Sequence, residues 1–269
     1  MSIIDLLYSN KFFTLVKRNA ELKDLHKGED CYIVGNGVSL KYYDLNLLRD
    51  KVTIGCNSLF YHNEFESMNC DYYLLPTSFA FHKYRKYYGN WHRNILGNIN
   101  LERIKEFDKT IYITSLTNYL KLRDKRYFYI HHFNNRSIDL KNIQMDNKFA
   151  FMDDSLNSMI GTALWMGFSK IYFIACDYLF SPFTNGHFFE SGKGKTLNEN
   201  SYKKDLLKLI KEHVDFKIVT THKSLTHDDN YIDYYEIFDK FPSYRENTDI
   251  VDKKILDQLN SFSDFYDIY

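Results

Sequence analysis

The segment that most constrains this chain runs from Cys31 to Leu40, C-Y-I-V-G-N-G-V-S-L. An apolar run, Cys31 to Val34, breaks into Gly35-Asn36-Gly37, and a helix-like segment, Ser39 to Arg49, follows at once. The pattern reads as a buried strand turning sharply into a helix. Glycines tolerate backbone angles that other residues resist, and they let a ligand approach the main chain. The N–H groups that open the next helix favour anions. In an open α/β sheet, ligands bind in the crevice at the C-terminal ends of the strands.

The same pattern recurs along the chain. Val52 to Cys56 ends in Asn57-Ser58, Asp71 to Leu75 in Pro76-Thr77-Ser78, and Lys170 to Cys176 in Asp177. Ile111 to Thr114 and Phe216 to Thr220 read as further strands. In a parallel sheet these ends share one rim, which gathers Asn36, Asn57, Thr77, Ser78 and Asp177. Ser155 to Met166 reads as a helix capped by Asp153, Asp154 and Ser155 and stopped by Gly167. Tyr202 to His213 reads as a second, amphipathic helix.

The expected fold class is therefore α/β, a Rossmann-like, mostly parallel sheet flanked by helices. Residues 1–28 read as an N-terminal helix, 29–220 as the principal domain and 221–269 as a helical C-terminal extension. Within the domain, residues 181–200 read as a long loop able to act as a lid. The N-terminal helix has two readings, a packed element or a peripheral membrane contact. The C-terminal helices likewise read as a domain cap or as an interface in a homo-oligomer.

Charge excludes one broad class. The chain of 269 residues has 35 basic and 35 acidic side chains, so its formal net charge is zero, and a general nucleic-acid binder would carry a basic surplus. Cys31, Cys56, Cys70 and Cys176 form no C-x-x-C pair and read as buried free thiols of a reducing compartment. No apolar run approaches about 18 residues and no leader pattern opens the chain, so a cytoplasmic location, at most touching the inner membrane face, is expected.

Several chemistries are excluded by motif. The turn lacks the third glycine of a dinucleotide fingerprint, and Asn57 stands where its acidic residue would be. Gly192-Lys193-Gly194-Lys195-Thr196 is not a Walker loop, because its first glycine is misplaced and no strand precedes it. No D-x-D pair follows a strand, and the adjacent His131 and His132 would alternate across a strand, so no metal and no cofactor are expected. His187 stands out as a titratable base in the lid, ten residues after Asp177. Asp177 itself, a carboxylate at the end of a buried strand, needs a partner or a task.

Three blocks, Gly35 to Asp44 (G-N-G-V-S-L-K-Y-Y-D), Gly55 to Ser58 (G-C-N-S) and Ser155 to Asp177, resemble the bacterial sialyltransferases of glycosyltransferase family 42. They also resemble the wider group of surface-polysaccharide and flagellin glycosyltransferase-like proteins. The resemblance implies a metal-independent variant of the GT-A fold that inverts the anomeric centre of a CMP-activated sugar, sialic acid or a related ulosonic acid, on transfer to a surface glycan. It implies that Asn36 and Asn57 hold the nucleotide and its phosphate, that Ser155 binds near the donor's carboxylate, and that Ala175, Cys176 and Asp177 line cytidine and ribose. Gly35, Gly37 and Ser39 of the turn and Thr77 after the third strand are the further candidate substrate-binding residues. His187 is the implied base, with His222 and His227 as further candidates. The chain departs from the family's pattern at Val38, where the family has proline, and at Leu179, where it has tyrosine. Two other classes fit parts of the same pattern: an ATP-dependent pterin pyrophosphokinase-like enzyme and a non-catalytic nucleotide-sugar-binding module.

Overall fold

The structure of the protein is a computed structural model. It describes residues 10–78, 80–81, 100–132, 143–147, 151–152, 154–179, 183–197, 201–221 and 228–260. The chain divides into two compact units, one of Met1–Lys27 with Asp71–Phe168, the other of Gly28–Cys70 with Ser169–Tyr269. In chain order the strands are β1 (Asp30–Val34), β2 (Thr53–Cys56), β3 (Tyr72–Leu75), β4 (Ile111–Ser115), β5 (Tyr127–His132), β6 (Phe151–Met152), β7 (Lys170–Ile174), β8 (Phe183–Asn185), β9 (Lys195–Leu197), β10 (Asp215–Thr220) and β11 (Tyr231–Asp233). Helices α1 (Asn10–Lys17), α2 (Ser155–Trp165), α3 (Ser201–Lys211) and α4 (Lys253–Asn260) accompany them.

In the second unit five strands run parallel in the order β11-β10-β7-β1-β2. Val34 is in register with Gly55 of β2 on one side and with Ile174 of β7 on the other. Strand β1 is thus flanked on both edges, and its residues Cys31 to Val34 are buried, which is why it reads as an unbroken apolar run. After β1 the chain adds β2 on one side, leaves the unit at Cys70, and returns at Ser169 to add β7 on the other. The sheet reverses its direction of growth between β1 and β7. That is a topological switch point, where adjacent turns diverge and a crevice opens.

In the first unit β3, β4, β5 and β6 are also parallel, in that order. Helix α2 lies against β3. The Asp154 carboxylate caps it by accepting the Asn157 N–H at 2.8 Å, and Gly167, at φ +81°, takes the left-handed turn that stops it. Buried tyrosines fill both units while their hydroxyls find carbonyls: Tyr43 donates to Val219 at 2.7 Å and Tyr112 to Phe107 at 3.1 Å.

Each unit is α/β with a parallel sheet, as the repeated run-and-turn pattern predicts. Several local expectations are corrected. The segment after the glycine turn is not an α-helix but two 3-10 helices, Val38–Tyr42 and Leu45–Leu48. The N-terminal helix ends at Lys17 and tightens into a 3-10 turn, Arg18–Leu22. Within that turn the buried Asn19 amide donates to the carbonyls of Tyr129 (2.8 Å) and Met145 (2.7 Å). Phe12, Val16 and Leu22 are buried in the protein.

The expected loop at 181–200 contains the antiparallel pair β8–β9. The tail contains β11, which pairs with β10. Both were missed because three-residue strands carry no periodicity. The stretch from Tyr127 contains β5, and His131 on it is buried. Asp153, His222, His227, the tip residues 181–182 and 198–200, and the start of the N-terminal helix lie outside the described residues.

Candidate functional site

The candidate site lies at the C-terminal ends of β1 and β7, the switch point of the second unit. Both glycines of the turn are there because the ends of the two strands come very close. A Cβ on Gly35 would sit 2.5 Å from the Ala175 carbonyl oxygen, and one on Gly37 would sit 2.3 Å from Cγ of Asp177. The main chain is stitched across this gap: Gly35 N–H donates to Ile174 O at 2.8 Å and Gly37 N–H to Ala175 O at 3.0 Å. Ala175 takes a left-handed backbone, φ +48°, to turn its carbonyl this way.

Asp177 is buried, at 1% exposure, and the turn supplies its partner. One carboxylate oxygen accepts the Ser39 N–H at 2.8 Å, and the other accepts the Ser39 hydroxyl. An isolated buried carboxylate would be costly; charge-assisted hydrogen bonds from main chain and hydroxyl offset that cost. The N–H groups of Gly35, Gly37 and Ser39 are therefore engaged within the protein. Across the Gly37–His187 bridge the Val38 N–H faces the Gly186 carbonyl, and among the described residues no acceptor meets the N–H of Asn36.

Asn36 joins the turn to β2. Its amide nitrogen donates to Cys56 O at 2.9 Å, which fixes the orientation of the amide and leaves Oδ1 buried without a partner. Asn57, next in the chain, holds a left-handed φ of +54°, a conformation asparagine accepts readily. Cys176 is buried; its thiol is pushed up by burial and then by Cys56 and Asp177, so it stays protonated and inert. All four cysteines are buried thiols outside any disulfide.

Residues 186–190 come back to this turn. Gly37 and His187 form an antiparallel bridge, and Phe188 N–H donates to Asn36 O at 3.2 Å. The His187 ring stacks on Phe189 with centroids 5.1 Å apart, and its Nδ1 lies 2.6 Å from Glu190 Oε1. Burial acts to raise the Glu190 carboxyl, but the hydrogen bond and charge of His187 and the charge of Lys41 outweigh it and hold the group below its usual value. Lys41 is fully buried and donates to the carbonyls of Glu190 and Gly192, both at 2.6 Å. The C-terminal segment straps the outer side: Asn247 donates to Phe189 O at 2.8 Å, and Arg245 pairs with Glu64 and donates to Tyr43 O.

Of the residues expected at the site, Gly35, Asn36, Gly37, Ser39, Asn57, Ala175, Cys176, Asp177 and His187 belong to this unit. All but Asn57 meet directly around the turn, and Asn57 adjoins Cys56, the acceptor of the Asn36 amide. Thr77 and Ser155 belong to the other unit, where Thr77 O accepts from Asn118 at 3.0 Å and Ser155 opens α2. Sequence reasoning missed Glu190 and Lys41. The His187/Glu190 spacing of three was a usable signal; a lysine inside a glycine-turn motif was not, because lysines are rarely buried.

Among the described residues, no group of three or more His, Cys, Asp or Glu side chains is placed to hold a metal ion. No described helix is long and apolar enough to cross a membrane.

No protein-family model and no curated protein matches the chain. Solved structures similar to it include the sialyltransferase CstII from Campylobacter jejuni in complex with cytidine-5'-monophosphate, at 16% identity and TM-score 0.47 over 88% of this chain and 98% of that one. Another is the sialyltransferase CST-II with a trisaccharide acceptor and CMP, at 16% identity and TM-score 0.46 over 87% and 99%. The monofunctional α-2,3-sialyltransferase Cst-I from the same organism matches at 14% identity and TM-score 0.46 over 90% and 96%. Likeness at this distance carries neither substrate nor mechanism to the chain.

Proposed function

We propose that this protein is an inverting, metal-independent glycosyltransferase that moves a sugar from a CMP-activated donor, sialic acid or a related ulosonic acid, to a hydroxyl of a surface glycan. The observation that supports this reading is the bridge between His187 and Gly37. It brings the main chain of His187 to the glycine turn at the switch point, and in this reading the imidazole serves as a base next to a main chain that favours anions. The reading also follows the resemblance carried by the glycine-turn, G-C-N-S and Ser155–Asp177 blocks.

In this mechanism His187 takes the proton from the acceptor hydroxyl as its oxygen attacks the anomeric carbon. The bond from that carbon to the phosphate oxygen breaks, and CMP leaves with the electron pair. In this reading the N–H of Asn36 meets the growing negative charge, because those of Gly37 and Ser39 are already engaged and that of Val38 lies in the bridge to the His187 segment. Asp177 then acts as the internal tie that shapes the turn for the nucleotide.

The test is a thermal-shift panel of CMP, CDP, UDP, GDP and ATP, each with and without Mg²⁺. CMP without metal is expected to stabilise the fold, by about 2.7 kcal/mol at a hundredfold excess over its dissociation constant. Stabilisation by ATP with Mg²⁺ alone would overturn the reading in favour of a pyrophosphokinase-like enzyme. CMP binding without turnover of any CMP-sugar would reduce it to a binding module.

A further inference from the structure

The geometry points to Glu190 as the positioning residue of His187: its carboxylate holds the ring as the Nδ1–H tautomer and leaves Nε2 as the proton-accepting atom. The inference rests on the reading of His187 as the base, and it concerns which nitrogen does the work and what selects it.

The contact is 2.6 Å between His187 Nδ1 and Glu190 Oε1. A carboxylate can only accept, so Nδ1 must carry the hydrogen. Burial works against ionisation of Glu190, but the hydrogen bond from His187 and the charge of Lys41 favour its carboxylate form. A neutral imidazole with Nδ1–H presents its lone pair on Nε2, the ring edge away from Glu190.

An exposed pair three residues apart would contribute little by itself. Here both partners are held. The Phe189 ring lies nearly parallel to the imidazole, at 16°, and sets its plane. The main chain at Glu190 is fixed by the buried Lys41 ammonium on its carbonyl and by its own N–H, which donates to His187 O at 3.0 Å. Gly186, at φ +125°, brings the chain past the carboxylate; a Cβ there would lie 3.4 Å from Glu190 Oε2. The arrangement is that of an orienting carboxylate behind a histidine, with the carboxylate setting tautomer and direction rather than taking the proton.

The experiment uses the full chain labelled with ¹⁵N in its histidines, with the His187 resonances assigned through His187→Ala. At pH 8, His187 should show a protonated Nδ1 and an unprotonated Nε2. Glu190→Ala, which removes the acceptor, should shift the ring toward Nε2–H, and Glu190→Asp should restore Nδ1–H in part. In a transfer assay Glu190→Gln should lower kcat by about 10- to 100-fold, the scale of losing a partner that orients a functional histidine, with the donor KM within about threefold.

A His187 ring already protonated at Nε2 in the unsubstituted protein, or a tautomer unmoved by Glu190→Ala, would overturn the inference. A tautomer shift in a protein that transfers no CMP-sugar would support the pairing and refute the transferase reading, so the two failures are distinguishable.

Discussion

The carboxylate of Asp177 accepts both the main-chain N–H and the hydroxyl of Ser39, a residue 138 positions earlier in the chain. This contact ties the end of β7 to the first turn after β1, and it defines the floor of the candidate site. Gly37 allows it. Its backbone, φ −62° and ψ 159°, suits any residue, so the demand for glycine is purely one of space. Gly37→Ala should therefore cost about 2–3 kcal/mol, through overpacking and the loss of charge-assisted hydrogen bonds. Asp177→Asn should cost a similar amount, since its amide would face Ser39 donors. Urea unfolding checks both, and a loss below about 0.5 kcal/mol in each would contradict the account of the tie.

A second prediction concerns acid. His62 is fully buried, and burial, followed by the nearby Arg245 guanidinium, holds its pKa down at about 3. In the unfolded chain an ordinary histidine titrates near about 6.5. Between those values the unfolded state binds one more proton than the folded state, so stability rises with pH. The contribution is complete above about pH 6.5 and is lost as pH falls toward about 3, roughly 2 kcal/mol of it by pH 5. His62→Gln should flatten the stability profile between pH 7 and pH 5. Equal slopes in the two proteins would show that His62 is not the group responsible.

Lys41 predicts the behaviour of the segment 186–194 that it anchors. Burial lowers its pKa, with Glu246 and Glu190 acting in the opposite direction, and its ammonium holds the carbonyls of Glu190 and Gly192. Lys41→Met keeps the volume and removes both donors. Two acceptors then lose a charged partner, a cost of about 1–3 kcal/mol at most for each. Hydrogen exchange at residues 186–194 should accelerate at least tenfold (about 1.4 kcal/mol of local opening), while exchange in β4 and β5 stays unchanged. Unchanged exchange in that segment would remove Lys41 from its anchoring role.

These contacts also mark how far the sequence could be followed. Strands β1 and β7 were legible because a parallel strand flanked on both sides leaves an unbroken apolar run, C-Y-I-V and I-Y-F-I. The glycine turn was legible because close approach of two strand ends leaves no room for a Cβ. The partner of Asp177 was not, since nothing local marks Ser39 as the residue that will meet it. The 3-10 form of the segment after the turn was also hidden: its apolar spacing suits either helix, and the Asp177 contact at Ser39 engages the first turn. Strands β8, β9 and β11, at three residues each, are too short for a period of two to register.

The measurement that tests the central claim most directly is release of CMP from CMP-sialic acid and CMP-Kdo, with a panel of saccharide acceptors and EDTA present, in the unsubstituted protein and in His187→Ala. The account predicts acceptor-dependent CMP release that falls by about 10²- to 10⁴-fold in His187→Ala, the range for losing a general base. CMP affinity, measured by calorimetry, should change by less than about threefold, since the substitution leaves the glycine turn, the proposed nucleotide site, unchanged. No CMP release from either donor, or release at an equal rate in His187→Ala, would contradict it.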